Sequence, residues 1–334
     1  MNRFWSWGLP AMIAPGLFAA PAGGAAAEYE GASWIPYHGY DRCISLQNGD
    51  CRVVLGHQFG GRPLEYSLNG INALYLSDEE KGYIYDPAAE KAANPTAGRF
   101  DIGPEKIVPP RPNLWLGQWT AEIVGPRQAR LTSVEDEATG VQLIRNFTLA
   151  DSGSKLICEQ IIKNISAQTQ KYCHWSRTFG NAGGVCVVPL TPGSRYPKNY
   201  ILYRKGDNAM LFMPDDPNIV ERNGCLLILA PPEHPKMGFD TYAGWLAYAE
   251  PNGLLFVKRY PTYPDRVYGE MAGFPLCVYY VPEFIELEPI GPWETIQPGG
   301  QASFTEEWEL FPFESPKQGA EIDLAKVKRL AAAK

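Results

Sequence analysis

The sequence has few of the side chains that usually mark a metal site, a catalytic nucleophile or a nucleotide-binding loop. Of its 334 residues only 4 are histidine, and these are too far apart to form a zinc-binding His-Glu-x-x-His pair. It contains no Gly-x-Ser-x-Gly elbow, no Gly-x-x-x-x-Gly-Lys phosphate loop and no Cys-x-x-Cys pair. These absences disfavour nucleotide binding and serine-nucleophile chemistry, and we expect neither a cofactor nor a bound metal.

Positive charge is also scarce, and it is nowhere clustered. The chain has 30 Lys and Arg against 37 Asp and Glu, which gives a formal net charge of −7. Nucleic acids and anionic membrane surfaces are bound by clusters of lysine and arginine. We therefore expect no nucleic-acid partner and, once the N-terminal segment is removed, no membrane partner.

The N-terminus has the features of a secretory signal peptide. It reads MNRFWSWGLPAMIAPGLFAAPAGGAAAEYE, with a positive charge at Arg3, an apolar stretch interrupted by Pro10 and Pro15, and small residues near its end. The apolar stretch is shorter than the roughly 20 residues that a membrane span needs. We predict a signal peptide over 1–27 and a periplasmic or secreted protein, with an uncleaved membrane anchor as the alternative.

Seven cysteines would meet an oxidising environment outside the cytoplasm. Cys43 and Cys51 flank ISLQNGD, in which Asn48-Gly49 favours a hairpin turn, so this pair is a candidate for a disulfide. The odd count leaves at least one free thiol. We expect most of the other cysteines to be small buried side chains.

Helical patterns are absent from the central part of the chain. Instead, strand-like runs such as GVQLIRNFTLAD and SKLICEQIIKNIS are bounded by Gly, Asp, Asn or Ser. More than ten such runs with few helices indicate an antiparallel sandwich or barrel. We predict an all-β fold, a large antiparallel β-sandwich, as one domain over 28–315. The tail, 316–334, is predicted to be partly helical because its apolar residues recur at near-helical spacing.

The strand-like stretch EFIELEPIGP, 283–292, carries two glutamates close to the end of the chain. Alternation along a strand places Glu286 and Glu288 on the same face. Carboxylates are depleted in strands and are rarely buried unless they are paired or functional. In KYCHWSRTF the same alternation puts His174 on the face opposite to Trp175 and Arg177. His174 is either an acid/base residue that works with a carboxylate or a core histidine satisfied by a hydrogen bond.

Three further charged residues are candidates for ligand binding. Arg99 and Asp101, in GRFDIGPE, share a face if this segment is extended, although a loop or an internal ion pair would also explain them. Lys258 lies between Phe256 and Tyr260 on one face of LLFVKRYP. It is either a cation that faces the ligand or a surface lysine whose stem lies along apolar neighbours.

Three segments occur in an order that resembles the aldose 1-epimerase, or galactose mutarotase-like, superfamily. FGGRPLEYSLNGINALY is similar to the opening strand pair, IIKNISAQTQKYCHWSRTF to the central segment that ends in a strand histidine, and FIELEPIGPWETIQPGGQASFTEEWEL to the closing segment. The likeness extends over most of residues 40–312. It implies a β-supersandwich with a shallow sugar-binding cleft on one sheet.

The resemblance also implies roles for individual residues. In the mutarotases a glutamate acts as base on the anomeric hydroxyl and a histidine acts as acid at the ring oxygen. The matching motifs place these roles on Glu288 and His174. Arg99 looks similar to the arginine that precedes the first histidine motif of the family.

That first histidine motif has no counterpart in this chain, where the matching region reads RPNLWLGQW. Its place is taken by residues that suit a sugar in other ways. Asn113 is able to bind a hydroxyl, and Trp115 or Trp119 is able to stack on the apolar face of a sugar ring.

We carry three hypotheses of function forward from the sequence. The first is an enzyme of the epimerase type that acts at the anomeric centre of a sugar, with Glu286, Arg99 and Lys258 orienting the substrate. The second is a carbohydrate-binding protein without catalysis. The third is a protein related to polysaccharide lyases or glycoside hydrolases, most of which need paired carboxylates. In each case the expected partner is a sugar, an oligosaccharide or a polysaccharide.

Overall fold

The computed structural model of the chain describes residues 29–89, 91–316 and 321–332. Within these ranges the chain forms 23 strands, a short helix α1 (Pro112–Trp115), a C-terminal helix α2 (Leu324–Ala332) and two 3₁₀ turns (Asp78–Glu80 and Met271–Gly273). In chain order the strands are β1 (Ala32–Tyr37), β2 (Tyr40–Gln47), β3 (Cys51–Gly56), β4 (Arg62–Leu68), β5 (Ile71–Asn72), β6 (Gly98–Gly103), β7 (Thr120–Gly125), β8 (Gln128–Thr132), β9 (Val141–Leu149), β10 (Leu156–Asn164), β11 (Gln170–Asn181), β12 (Val185–Pro189), β13 (Tyr200–Tyr203), β14 (Met210–Leu211), β15 (Ile219–Arg222), β16 (Cys225–Ile228), β17 (Lys236–Phe239), β18 (Trp245–Ala249), β19 (Leu254–Arg259), β20 (Leu276–Tyr280), β21 (Phe284–Pro289), β22 (Glu294–Ile296) and β23 (Gln301–Pro312).

The strands of the described ranges form three antiparallel sheets. The small sheet holds β1 to β5 in sequence order, and the ten-stranded back sheet has the order β15-β16-β12-β18-β19-β23-β10-β9-β8-β7. The eight-stranded front sheet has the order β14-β13-β17-β20-β21-β11-β22, and β6 joins it by pairing with β11. The predicted all-β architecture with large antiparallel sheets and a short C-terminal helix is confirmed.

The front and back sheets pack face to face because alternate residues of their strands are apolar. In β9 every second residue from Val141 to Leu149 is buried, and the residues between them are partly exposed. The main hydrophobic core joins Leu287 of the front sheet, Phe256 of the back sheet and Tyr66 of the small sheet. The rings of Tyr66 and Phe256 are 5.7 Å apart. The small sheet therefore shares the core of the sandwich.

Helix α2 covers part of the outer face of the back sheet. Val327 of α2 is fully buried there in one cluster with Val257 of β19. Arg259, at the end of β19, donates hydrogen bonds of 2.8 Å to the carbonyls of Leu330 and Ala331. These carbonyls lie in the last turn of the helix and have no partner within it, so Arg259 caps the helix from the sheet.

The candidate disulfide is not formed, and all seven cysteines are buried free thiols. The register of the β2–β3 hairpin pairs Ile44 with Leu55, four residues further along β3 than Cys51. Cys43 and Cys51 therefore lie at opposite ends of the hairpin and belong to different hydrophobic clusters.

The predicted signal peptide, 1–27, lies outside the described residues. Among the residues that are described, no helix has both the length and the apolar character that crossing a bilayer requires. The extent of the single domain, 28–315, and the extracytoplasmic location stay predictions.

Candidate functional site

A cleft lies on the outer face of the front sheet, which is turned away from the back sheet. Strand β11 pairs there with β6 and with β21, and β20 and β17 continue the sheet beyond β21. Two adjoining cavities of about 360 and 310 Å³ open on this face, and we call their combined lining the cleft. The lining residues are Asn94, Arg99, Asp101, Glu105, Lys106, Arg111, Trp115, Trp175, Arg177, Asn208, Lys236, Tyr279, Phe284 and Glu286.

Glu288 is fully buried, and its hydrogen-bond partners are two residues of the cleft lining. Trp175 donates its indole N–H to Oε2 at 2.8 Å, and the Lys236 ammonium donates to Oε1 and Oε2 at 3.0 and 2.7 Å. Burial by itself would raise the pKa of Glu288, but Lys236 and Arg177 outweigh it, and the pKa lies below its usual value. Glu288 is therefore an ionised carboxylate enclosed by its partners.

Glu286 and Arg177 form the second ion pair of this face. The Nε and Nη2 atoms of Arg177 each lie 2.8 Å from Oε2 of Glu286. The guanidinium carbon also lies 4.6 Å from the centroid of the Trp175 ring. Glu286 and Glu288 thus share the outer face, as the alternation along β21 predicts, but each is held by a different cation.

Asp101 lies between two arginines at the other side of the cleft. Arg111 donates from Nε and Nη2 to Asp101, both at 2.9 Å, whereas the contact from Arg99 is 3.4 Å. Arg99 instead lies over the ring of Trp115, with 4.1 Å between the guanidinium carbon and the ring centroid. The predicted shared face of Arg99 and Asp101 is present, because both project outward from β6.

His174 lies on the inner face of β11 and does not reach the cleft. Its ring is stacked between Phe100 and Phe304, with centroid distances of 6.1 and 5.7 Å, and Nε2 lies 3.2 Å from the carbonyl oxygen of Ala302. Burial lowers the pKa of His174 to about 4, so the ring is neutral at physiological pH. The structure does not bring His174 and Glu288 together, and the acid/base pair expected from the sequence is not present. The core reading of His174 is the one that fits.

Lys258 is also inside the sandwich, which corrects both readings of it made from the sequence. It is fully buried and lies 3.0 Å from Glu306 of the back sheet. Its ammonium also donates to Ser176 and Thr178 of β11, at 3.1 and 2.8 Å. Lys258 is neither a cation of the cleft nor a surface lysine, because β19 turns this residue toward the front sheet.

The three residues of the α1 region have different surroundings. Trp115 lines the cleft, whereas Asn113 is exposed and is not a lining residue. Trp119 is buried and donates its indole N–H to the carbonyl of Leu114 at 3.0 Å. Of the predicted residues in this segment, the structure places only Trp115 in the cleft.

The cations that hold Glu288 and Asp101, which are Lys236 and Arg111, were not predicted from the sequence. Lys236 begins the short strand β17 and reaches Glu288 only because β17 lies next to β20, which pairs with β21. Arg111 lies in a proline-rich turn before α1. Strand order brings Lys236 to the site, and the turn before α1 brings Arg111 to Asp101; neither contact is visible in a local sequence pattern. Within the described ranges, no group of three or more His, Cys, Asp or Glu side chains is placed to hold a metal ion.

The sequence matches no protein-family model and no curated protein, but several solved structures are similar to it in fold. The Slr1438 protein from Synechocystis sp. PCC 6803 superposes with a TM-score of 0.54 at 15% identity, over 81% of this chain and 96% of the other. A galactose mutarotase-like protein from Lactobacillus casei ATCC 334 gives 0.52 at 11% identity, over 80% and 100%. A protein from Escherichia coli K12 named as a candidate aldose 1-epimerase gives 0.51 at 14% identity, over 80% and 98%.

The chain has the galactose mutarotase-like fold. The resemblance predicted from the three sequence segments is confirmed at the level of the fold, and identities this low say nothing about the reaction. The outer face of the front sheet presents carboxylates, guanidinium groups and aromatic rings, a combination that suits a polar ligand with an apolar face.

Proposed function

We propose that the cleft binds a sugar, either free or as part of an oligosaccharide or polysaccharide, and does not catalyse a reaction at its anomeric centre. The observation that carries the proposal is the outward display of Arg99, Arg177 and Glu286 beside Trp115 and Tyr279. Ionised side chains of both signs are strong partners for hydroxyl groups, and aromatic rings pack on the C–H face of a sugar. The mutarotase-like fold supports a sugar as the ligand.

Two features weigh against epimerisation. Epimerisation needs a base at the anomeric hydroxyl and an acid at the ring oxygen. His174, the acid expected from the sequence, lies on the opposite face of β11 and is neutral. Glu288 keeps its negative charge but has no exposed surface, and Lys236 and Trp175 occupy its oxygens.

Epimerase chemistry is the second candidate, and the ionisation of Glu288 favours it. If Lys236 moved aside when a sugar bound, Glu288 would be a base within the cleft. In that case the wild-type protein would speed exchange between the two anomers of a free aldose, and Glu288→Gln would abolish the effect. NMR exchange measurements or polarimetry on a panel of aldoses test this, and rate enhancement by the wild type alone would replace the binding proposal with the enzymatic one.

Calorimetric titration of the mature protein with a panel of mono- and oligosaccharides tests the binding proposal. Glu286→Gln removes a charge that is paired with Arg177 and is expected to weaken binding about 10-fold, the effect of losing one charge-assisted hydrogen bond. Glu309→Gln is a matched control, because Glu309 is paired with Arg259 at 2.8 Å on the back sheet. Failure of every sugar to bind, or equal loss of affinity in both variants, would refute the proposal.

We further propose that the protein works in the periplasm or outside the cell. The support is the sequence of residues 1–27 alone, with its positive start, apolar stretch and small residues. Mass spectrometry of the protein after expression of the full chain in a bacterial host tests this, since cleavage near Ala27 would remove the predicted segment. An intact N-terminus in the cytoplasmic fraction would contradict it.

A further inference from the structure

Two arginines of the cleft face each other across neighbouring strands. In the antiparallel register of β6 and β11, Arg99 is the direct partner of Arg177, and both side chains project to the outer face. Like charges at directly opposed positions destabilise a sheet. A cross-strand pair of arginines on a concave surface therefore needs anionic groups to offset its charge.

The two arginines are compensated unequally. Arg177 is held by Glu286 at 2.8 Å. Arg99 has Asp101 only at 3.4 Å, and that carboxylate already accepts two hydrogen bonds of 2.9 Å from Arg111. Arg99 therefore contributes a positive charge that no carboxylate of the described residues contacts more closely than 3.4 Å.

The hydrogen bonds of Arg99 are also incomplete. Its side chain is only 7% exposed, yet Nε has no hydrogen-bond partner within the described part of the chain, and the contact of Nη1 with Asn94 is 3.4 Å long. Burial and the nearby Arg177 both disfavour the charged form and lower the pKa of Arg99, and Asp101 and Glu286 offset this only in part. A buried donor without a partner is costly, and because Arg99 lines the cleft, an acceptor group of a bound ligand would offset that cost.

We propose that the ligand of the cleft is an acidic sugar. Its carboxylate or sulfate group is bound by Arg99, the residue that faces Arg177 across β6 and β11. The inference rests on the proposed sugar binding and adds its chemical class. A guanidinium group offers parallel N–H donors that match two oxygens of an oxyanion. Trp115, which stacks on Arg99, holds the guanidinium plane in position and forms a wall of the same cavity. Glu105 is another carboxylate of that cavity. It is exposed, so water screens its repulsion of the anionic group of the sugar.

Matched pairs of sugars test the proposal. Calorimetric titration of the mature protein compares glucuronate with glucose, galacturonate with galactose, and glucose 6-sulfate with glucose. We expect at least one acidic sugar to bind about 10-fold or more tightly than its neutral match, the effect of one or two charge-assisted hydrogen bonds. The uronate and sulfate arms show which oxyanion is preferred. Binding of the acidic sugar is expected to weaken as sodium chloride rises, while binding of the neutral match is not.

Substitutions assign the effect to Arg99. Arg99→Gln is expected to remove the preference for the acidic sugar. Arg99→Lys keeps the charge but loses the parallel N–H donors of the guanidinium group, and it is expected to retain part of the preference. Arg130→Gln is the control, because Arg130 is exposed on β8 of the back sheet. Thermal unfolding of each variant establishes that it is folded, and the Lys variant keeps the test valid if Gln is not tolerated.

The outcomes separate this inference from the proposed function. Equal or tighter binding of the neutral sugars by the wild type would overturn the inference and leave sugar binding standing. Failure of both neutral and acidic sugars to bind would overturn both. A preference for the acidic sugar that survives in both Arg99 variants would also overturn the inference, since it would place the anion elsewhere.

Discussion

The side chain of His174 points into the sandwich, whereas the carboxylates of β21 point out of it, and this difference of one position decides what the cleft is able to do. Successive residues of a strand alternate between its faces. The face that carries Trp175 and Arg177 is therefore the one that meets Glu286 and Glu288. A histidine one position earlier or later in β11 would face the cleft. A resemblance between short motifs does not fix the alignment to within one residue, so it does not tell which face the histidine occupies.

Because His174 is buried in its neutral form, the folded chain is expected to lose stability in acid. The pKa of this ring is lowered from 6.5 to about 4 in the folded chain. As the pH falls from about 6.5 to 4, the unfolded state takes up a proton that the folded state does not, so stability falls over this window and is fully present above it. The contribution is about 2 to 3 kcal/mol, since one pKa unit corresponds to about 1.4 kcal/mol.

The variant His174→Phe isolates this effect, because a phenyl ring fits the stack with Phe100 and Phe304 and does not titrate. Urea unfolding at pH 7 and at pH 4 is expected to show the variant gaining about 2 to 3 kcal/mol relative to the wild type at the lower pH. A stability difference that does not change with pH would mean that His174 titrates as an exposed histidine.

Lys258 and Glu306 give a second prediction at the scale of the residue. Both side chains are fully buried, and Glu306 also accepts hydrogen bonds of 2.8 Å from Gln160 and Trp308. Lys258→Met would leave a carboxylate buried without its cation and is expected to cost about 3 to 5 kcal/mol of unfolding free energy.

Adding Glu306→Gln to Lys258→Met is expected to recover part of that loss, because the remaining group is neutral and keeps an acceptor oxygen. Lys155→Met is the matched control. Lys155 pairs with Glu307 at 3.2 Å near the surface, where an ion pair contributes about 1 kcal/mol or less. A small effect of Lys258→Met in denaturant unfolding, similar to that of the control, would show that the buried pair does not matter for stability.

At the scale of the element, the sequence predicts strands and their faces well but not which strands become neighbours. The alternation in β6, β11 and β21 correctly grouped Arg99 with Asp101 and Glu286 with Glu288. It did not reveal that β17 lies beside β20, and this pairing brings Lys236 to Glu288. Pairing between strands far apart in sequence depends on the whole set of core contacts, so no local pattern contains it.

Lys258 shows that a strand pattern also does not reveal what a given face of the strand packs against. Its aromatic neighbours in sequence indicate a face, but the strand alone does not say whether that face meets solvent or another sheet. The helix of the tail was easier to predict, because a pattern of nine residues on one helix decides which side is buried.

The docking of α2 provides a prediction for a single element. Val327 is fully buried on the back sheet, whereas Ala325 is exposed on the same helix. Val327→Asp replaces a buried apolar side chain by a charge and is expected to release the helix, which would speed tryptic cleavage at Lys328 by about 10-fold or more. Ala325→Asp introduces the same charge on the exposed side and is expected to leave the cleavage rate near that of the wild type.

Sugar binding is expected to survive Val327→Asp, since α2 lies on the outer face of the back sheet and the cleft on the outer face of the front sheet. Unchanged proteolysis of Val327→Asp would mean that the helix does not depend on this contact. Loss of sugar binding together with the release of α2 would mean that the two outer faces are coupled through the sandwich.

At the scale of the whole molecule, the three sheets share one hydrophobic core, and this predicts a single cooperative unfolding unit. Tyr66 of the small sheet packs against the rings of Phe256 and Trp308 of the back sheet at 5.7 and 6.0 Å. The same core continues through Leu287 into the front sheet. Loss of any one sheet would expose apolar surface of the other two, so the sheets are expected to unfold together.

The cysteines are distributed so that they report on each sheet. Cys43 and Cys51 lie in the small sheet, Cys158 in the back sheet and Cys277 in the front sheet, and all seven thiols are buried. Burial raises the pKa of Cys43 and of Cys51 to about 12, so both are protonated and unreactive in the folded chain.

A thiol-specific reagent applied along a urea series is therefore expected to find almost no reactive thiol in the native protein and seven after unfolding. All of them should become reactive in one transition that coincides with the change in tryptophan fluorescence. Earlier reaction of Cys43 and Cys51 would show that the small sheet unfolds separately, which would contradict a single domain. A final count of five would instead mean that two cysteines are joined in solution, and the buried position of each thiol in the sheets makes seven the expected number.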